Sequence, residues 1–372
     1  MVEQAKPVLI LGGSGQAGSG TAALLRQWHP ELPLTIAGRD IDRTQRVADE
    51  LGVASAVTVD LRRGDLGLPA EHGYSAVVAA LWDDRLNGLR YAQDHGLPYL
   101  SISSGLVEIA PEVIAGAQRA SASSILVASH FCAGTVVLAA LRMARDFHRV
   151  DTIRIGAVLD ELDTGGPAGA ADLERWATAT TAGTVRRDGV FTWANGPEAQ
   201  ADVPRTDGVV VPGQSIAILD VPSLALATGA PNVRFDMAVG ESEARRRGDS
   251  PSSEIRIDLE GVDPAGAPLS TSRYLVHPAG QRPLTALGIA LGVERQLGLR
   301  GEAASPGIHT PESLLDPAYA AERMVEIGAS FVAATPDSGA TSSPGPLSAP
   351  EEDPNRTRRV GALAPRSRRG TP

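Results

Sequence analysis

The chain has 372 residues, enough for two domains and a substantial core, and its net charge of −10 argues against a nucleic-acid or anionic-membrane partner. No window approaches the roughly 20 consecutive apolar residues of a membrane span. A single cysteine, Cys132, excludes internal disulfides and a cysteine-ligated zinc cluster.

Val8-Leu9-Ile10-Leu11 is a continuous apolar run, the pattern of a strand buried on both faces of a parallel sheet. Gly12-Gly13-Ser14-Gly15-Gln16-Ala17-Gly18 follows at once and sets Gly13, Gly15 and Gly18 in G-x-G-x-x-G spacing. A helical segment with Leu24, Leu25 and Trp28 on one face comes next, then a strand over Pro33–Ala37. In that frame the first glycine makes a tight turn, the second lets a pyrophosphate approach the backbone, and the third lets helix pack on strand. Gly13, Ser14, Gly15, Gln16, Ala17 and Gly18 are therefore expected to bind a dinucleotide, with the helix N-terminus meeting its phosphates. The second strand ends Ala37-Gly38-Arg39-Asp40. An NAD site usually has an acid here for the ribose 2′-hydroxyl. Arg39 instead offers a charged donor fork for a 2′-phosphate, so NADP is expected over NAD. Asp40 reads either as the missing acid or as the cap of a helix over Ile41–Leu51.

Ala54–Asp60 reads as a third strand, its Asp60 placed to meet the adenine amino group. Ser75–Leu81 is a fourth strand, Asp83–His95 a helix, Pro98–Ser103 a fifth strand, Glu108–Ala120 a helix and Ser124–Ser129 a sixth strand. This alternation predicts a doubly wound parallel sheet of order 3-2-1-4-5-6. The ligand should cross the carboxyl ends of its first and fourth strands, against Ser14, Gln16, Ala80, Leu81 and Trp82.

The pattern changes after a helix over Thr135–Phe147. Strands are expected over Asp151–Asp160, Ser215–Asp220, Val233–Val239, Ile255–Leu259 and Arg273–Val276, a helix over Ala171–Thr180, and a hairpin turn at Asp188-Gly189. Pro283 and Asp316-Pro317 open two late helices. The fold class is thus α/β, a Rossmann doubly wound parallel sheet with an inserted, mainly antiparallel α+β second domain. The expected domains are residues 1–134 for the dinucleotide, 135–282 for substrate or dimerisation, and 283–335 returning as helices to the first. From Pro336 onward Pro, Ser, Gly, Thr and Arg dominate without periodicity, the composition of a disordered tail over 336–372.

Three segments together carry a family resemblance. They are Val8–Gly18, Ala37-Gly38-Arg39-Asp40 leading into its helix, and Ala76–Ser104 with its Gly-Leu-Pro-Tyr-Leu-Ser ending. Pro306-Gly307-Ile308-His309-Thr310-Pro311-Glu312 adds to them. The chain resembles the saccharopine dehydrogenase-like, saccharopine reductase-type NAD(P)-binding proteins over most of Val8–Gly328. The resemblance implies a Rossmann domain interrupted by an α+β domain, and NADP-linked redox chemistry at a carbon–nitrogen or related bond. The chain departs from the family at Ser129-His130-Phe131-Cys132-Ala133-Gly134, which turns the substrate expectation toward a small amino-acid-like or secondary-metabolite molecule other than saccharopine. Leu81 and Ser104 join the expected cofactor contacts.

Hydride transfer requires positioning and one group to exchange a proton. His130 is a candidate because it follows the sixth strand and opens the way into the second domain; a histidine bonded to backbone is the alternative. Asp160 and Asp163, at a strand end facing the cleft, are further candidates beside a reading as solvated loop. Cys132 permits an acylating semialdehyde dehydrogenase, against the role of a small buried thiol, and a non-catalytic NADP-binding regulator stands as a third option. Lys6 is the only lysine among 34 basic residues and precedes every element, which excludes an interior Schiff-base lysine and the Tyr-x-x-x-Lys pair of short-chain dehydrogenases. The expected partner is a small-molecule substrate, with no nucleic acid, membrane or metal. The expected location is cytoplasmic, and a homodimer through the second domain is left open.

Overall fold

A computed structural model describes residues 6–334, apart from 70–72, 107, 164 and 180–181 and the side chains at 173, 176, 177 and 179. The expected tail over 336–372 lies outside these residues. The chain opens with β1 (Val8–Leu11), α1 (Gln16–Trp28), β2 (Leu34–Gly38), α2 (Ile41–Leu51), β3 (Ala54–Thr58) and β4 (Ala76–Ala79). It continues through α3 (Asn87–Asp94), β5 (Tyr99–Ser101), α4 (Ile109–Gln118), β6 (Ser124–Val127) and α5 (Thr135–Ala144). The second region holds β7 (Arg149–Asp160), α6 (Gly166–Ala179), β8 (Gly183–Arg187), β9 (Val190–Ala194), β10 (Gln200–Pro204), β11 (Val210–Ser215), α7 (Asp220–Thr228), β12 (Asn232–Gly240), α8 (Glu243–Arg246), β13 (Ser253–Val262) and β14 (Pro268–His277). The described part closes with α9 (Arg282–Gln296), β15 (Gly307–His309), α10 (Pro311–Leu314), α11 (Pro317–Glu326) and β16 (Ser330–Ala333).

The first sheet is wholly parallel, in the order β15-β6-β5-β4-β1-β2-β3. It contains the expected 3-2-1-4-5-6 order with one strand added at its edge. That strand, β15, spans three residues, too few for periodicity to reveal it. The apolar runs of β1, β2 and β4 are buried throughout, as strands covered on both faces must be. The second sheet follows β10-β11-β12-β7-β13-β14-β16, with β8 joined to β12 and β9 to β8. It is mainly antiparallel, with one parallel pair between β7 and β12. Its inward residues Ile153, Ile155, Phe235, Ile255, Ile257 and Leu275 form one core with α5 and α7.

Local chemistry sets the connections. Asp188 and Gly189 both take positive φ, 48° and 83°, as a two-residue hairpin turn between β8 and β9 requires. Asp316 caps α11 by accepting from the Ala318 amide. Gln296 donates to the Tyr99 carbonyl at 2.8 Å and Thr21 to the Ala286 carbonyl at 3.3 Å, so α9 docks on β5 and α1. No helix of the described residues is long and apolar enough to cross a membrane.

Two expectations are corrected. Ser215–Asp220 is not a strand: Ser215 ends β11 and Asp220 begins α7, whose Pro222 suits a first helical turn. The helix expected from Asp83 starts only at Asn87, because Leu86 is left-handed and the Asp83 carboxylate accepts the Gly88 amide at 2.6 Å.

At Gly18 the helix α1 backbone lies closer to the glycine turn than a side chain would permit. A Cβ there would stand 2.5 Å from the Gly12 carbonyl oxygen and 2.7 Å from Gly13 Cα. Glycine-to-alanine changes inside helices normally gain up to about 1 kcal/mol. Gly18→Ala should instead lose roughly 1–3 kcal/mol through overpacking, read as a lower urea midpoint. An unchanged or raised midpoint would contradict this packing.

Candidate active site

The site is built around the turn between β1 and α1. Gly12 is left-handed at φ 75°, and the Gly13 amide donates to the carbonyls of Ile10 and Ala37, both at 3.1 Å. The Gly15 amide closes the turn on the Gly12 carbonyl at 2.8 Å. Ser19 to Gly15 is the first bond of the helix ladder, so the amides of Gln16, Ala17 and Gly18 lack acceptors within it. Gly15 provides no side-chain cap, and the first turn of α1 has no acidic residue. An uncompensated positive helix end therefore faces the crevice past the carboxyl ends of β1 and β4, a geometry suited to phosphate. A Cβ at Gly12 would meet Leu81 at 2.9 Å, which places Leu81 against the same turn.

At the end of β2 the structure separates two readings of Asp40. Its carboxylate accepts the Arg43 amide at 3.1 Å as the N-cap of α2. Arg39 stands exposed beside it. A Cβ on Gly38 would come within 3.3 Å of the Ser14 hydroxyl, so Ser14 borders the same position. Asp60, expected at the adenine, accepts from the Arg62 amide and guanidinium at 2.9–3.0 Å, and these bonds lower its pKa. Ser104 is buried; its amide donates to Ser129 Oγ at 3.1 Å and its hydroxyl to Glu112 at 2.9 Å. Its hydrogen bonds thus tie β5 to β6 and α4.

The catalytic candidates are less accessible than their sequence positions imply. His130 is 5% exposed, with Nε2 hydrogen-bonded to Ser223 Oγ at 2.8 Å and Nδ1 without a hydrogen-bond partner among the described residues. Burial pushes its pKa down to about 3, so it is neutral at ordinary pH and holds no imidazolium proton to give. Cys132 sits in a run of left-handed residues, Cys132, Ala133 and Gly134, ahead of α5. Burial, then the charge of Asp220, pushes its thiol pKa up, so the thiolate expected at a helix start is disfavoured.

Asp160 is fully enclosed. Burial alone would raise its pKa, but bonds from the Ser242 and Leu162 amides at 2.7 and 2.9 Å and Arg245 Nε at 3.0 Å hold it below the ordinary value. Asp163 accepts the Gln281 amide at 2.6 Å at the start of α9, and burial raises its pKa. The two carboxylates fasten loops, where the sequence suggested a cleft wall or solvated loop. Sequence reasoning missed Asp220 and Ser223, which clasp the 130–131 segment, because it reads Asp220 as the end of a strand and assigns no helix to the residues of α7 that follow. The Phe131 amide donates to Asp220 at 2.9 Å. No metal-binding cluster of His, Cys, Asp or Glu occurs among the described residues. A groove of about 770 Å³ on the second sheet, lined by Gln200, Asp202, Gln214 and Met237, offers Asp202 as its one titratable group and lies away from the glycine turn.

No family model and no curated protein sequence matches the chain. Among solved structures it is similar to apo saccharopine dehydrogenase (L-Glu forming) from Saccharomyces cerevisiae, at 11% identity over 88% of this chain and 100% of that one, with a TM-score of 0.61. A myo-inositol dehydrogenase from Corynebacterium glutamicum matches at 14% identity over 87% and 95%, with a TM-score of 0.46. A probable dehydrogenase from Thermotoga maritima matches at 10% identity over 87% and 98%, with a TM-score of 0.47. The first likeness shows that the chain has the saccharopine dehydrogenase fold; the other two add nothing to that.

The buried pair His130 and Asp220 gives a pH signature. Burial chiefly, with the charge of Glu312 adding to it, raises Asp220 to about 7 from 3.8. Its ionised form opposes the fold, a cost that is full above pH 7 and relieved as pH falls toward 3.8. His130 works the other way: its stabilisation is full above its ordinary 6.5 and is lost as pH falls toward about 3. The two slopes offset each other between roughly pH 4 and 6.5. Asp220→Asn removes one slope, so the stability of that variant relative to wild type should fall as pH drops from 7 to about 4.5. Urea midpoints across that range check it; parallel pH dependences would contradict the assignment.

Proposed function

We propose that the chain is an NADP-dependent oxidoreductase that transfers hydride between the nicotinamide and a C=N or C=O bond of a small amino-acid-like or secondary-metabolite substrate. The observation that carries this reading is the unpaired N-terminus of α1 behind the glycine turn, in a crevice that ends at Arg39. The amides of Gln16, Ala17 and Gly18 hold the pyrophosphate, and Ser14 and Arg39 hold the 2′-phosphate. Arg39 can donate a planar fork, whereas Asp40 is committed to capping α2 and offers a ribose 2′-hydroxyl little. The nicotinamide supplies the hydride chemistry when bound. Leu81 packs against the turn and keeps water from it, and His130, Asp160 and Asp163 support the surrounding walls through the bonds described above. The semialdehyde dehydrogenase reading is disfavoured, because its nucleophile would be a thiol buried beside Asp220.

Titration with NADPH and NADH tests the reading. Wild type should prefer NADPH, and Arg39→Ala should lose about 1.5–3 kcal/mol of NADPH binding with little change for NADH. Equal preference for the two cofactors in both proteins would count against it.

A further inference from the structure

Helix α6 belongs to the second region, yet it is fastened along the carboxyl edge of the first sheet. At its start Gly165 and Gly166 are both left-handed, at φ 67° and 77°. A Cβ on Gly166 would stand 3.5 Å from the Gln16 side-chain amide, beside the glycine turn. Further along, the Arg175 guanidinium lies 3.9 Å from the centre of the Trp82 ring, just past β4. Its Nη1 donates to Asp172 at 2.8 Å, and its Nε stands 2.7 Å from Glu108 as an ion pair outside hydrogen-bond alignment. Its Nη2 donates to the carbonyl of Ser103, just past β5. The lengths agree. From Gly166 to Arg175 a helix rises about 13 Å, and the two strand steps from β1 through β4 to β5 cover about 10 Å. The helix therefore follows the line a dinucleotide would take from its pyrophosphate toward its nicotinamide.

We propose that Arg175 is a positioning residue that seats α6 as a roof over the nicotinamide half of the crevice, its guanidinium–indole pair closing that end to water; this rests on the NADP reading above. The Arg175 side chain is only 16% exposed, where charge-assisted bonds and stacking on an indole are strengthened by the loss of water. It also separates two carboxylates. Without the cation, Asp172 and Glu108 would face each other unneutralised, and α6 would lift. The adenosine half, by contrast, runs toward β2 and Arg39, on the other side of the turn.

The test pairs NADPH with adenosine 2′,5′-bisphosphate, which occupies the adenosine end alone. Arg175→Ala should weaken NADPH about tenfold, the scale of a charge-assisted bond, and leave bisphosphate affinity unchanged. The emission of bound NADPH should shift toward that of free NADPH as water reaches the ring. Trp82→Leu, which keeps the ion pairs, should give the same split, and Arg175→Lys should recover part of the affinity. Unchanged NADPH affinity and emission in Arg175→Ala, or equal loss for both probes, would overturn the roof. Failure of wild type to bind either probe would overturn the NADP reading and the roof with it.

Discussion

The structure turns on how closely one helix can approach one turn. Without a side chain at residue 18, α1 sits against the Gly12 carbonyl at a distance no Cβ would allow. That contact fixes the direction of the helix, and the direction decides where its unpaired amides point. Gly13 extends the same logic, since a Cβ there would stand 2.8 Å from the Ile10 carbonyl oxygen and 2.9 Å from Ile36. Gly38 does so at the neighbouring strand, where Ser14 and Thr44 occupy the space a side chain would need. The bare helix end at the crevice is thus a packing property first and an electrostatic one second. Close packing brings the helix end to the crevice, and the lack of acid in the first turn leaves its charge uncompensated.

The second region ties its buried charges into the backbone. Three buried carboxylates are engaged by backbone amides: Asp160 by Ser242 and Leu162, Asp163 by Gln281, Asp220 by Phe131. Each such bond offsets part of the desolvation of its charge. The returning C-terminal segment serves both sheets, adding β15 to the parallel sheet and β16 to the mixed one. Its helix α9 meanwhile packs on α1, and a Cβ on Gly20 would stand 2.9 Å from that of Ala286. The helix that aims at the crevice is therefore backed from behind by residues more than 260 positions away.

What the sequence made legible follows from how local each signal was. Val8–Gly18 declares a strand, a turn and a helix through neighbouring residues alone, and the structure has all three. Asp188-Gly189 declares its hairpin because both positions need positive φ, which few residues accept. The misread elements have long-range causes. β11 contains Pro212 and Gly213, poor strand formers, and Gly213 is tolerated because the Met237 carbonyl passes within 2.6 Å of where its Cβ would be. β15 exists because a parallel edge was waiting beside β6. For the site the division is similar. The glycine turn could be read, and so could the cap that Asp40 makes for α2. The burial of His130 and Cys132 could not, because it depends on α7 arriving from some ninety residues away.

The central claim is that the bare N-terminus of α1 is an anion site, and Gly15→Asp addresses it most directly. Gly15 is the helix N-cap with extended backbone, and a Cβ there meets only the Gly12 oxygen, at 3.1 Å. Aspartate is among the best residues for that position, so the fold should tolerate it. Its carboxylate would occupy the space and cancel the charge on which a pyrophosphate depends. The account predicts a melting temperature at or above that of wild type, together with an NADPH titration that no longer saturates. A variant of unchanged stability that binds NADPH as wild type does would contradict it.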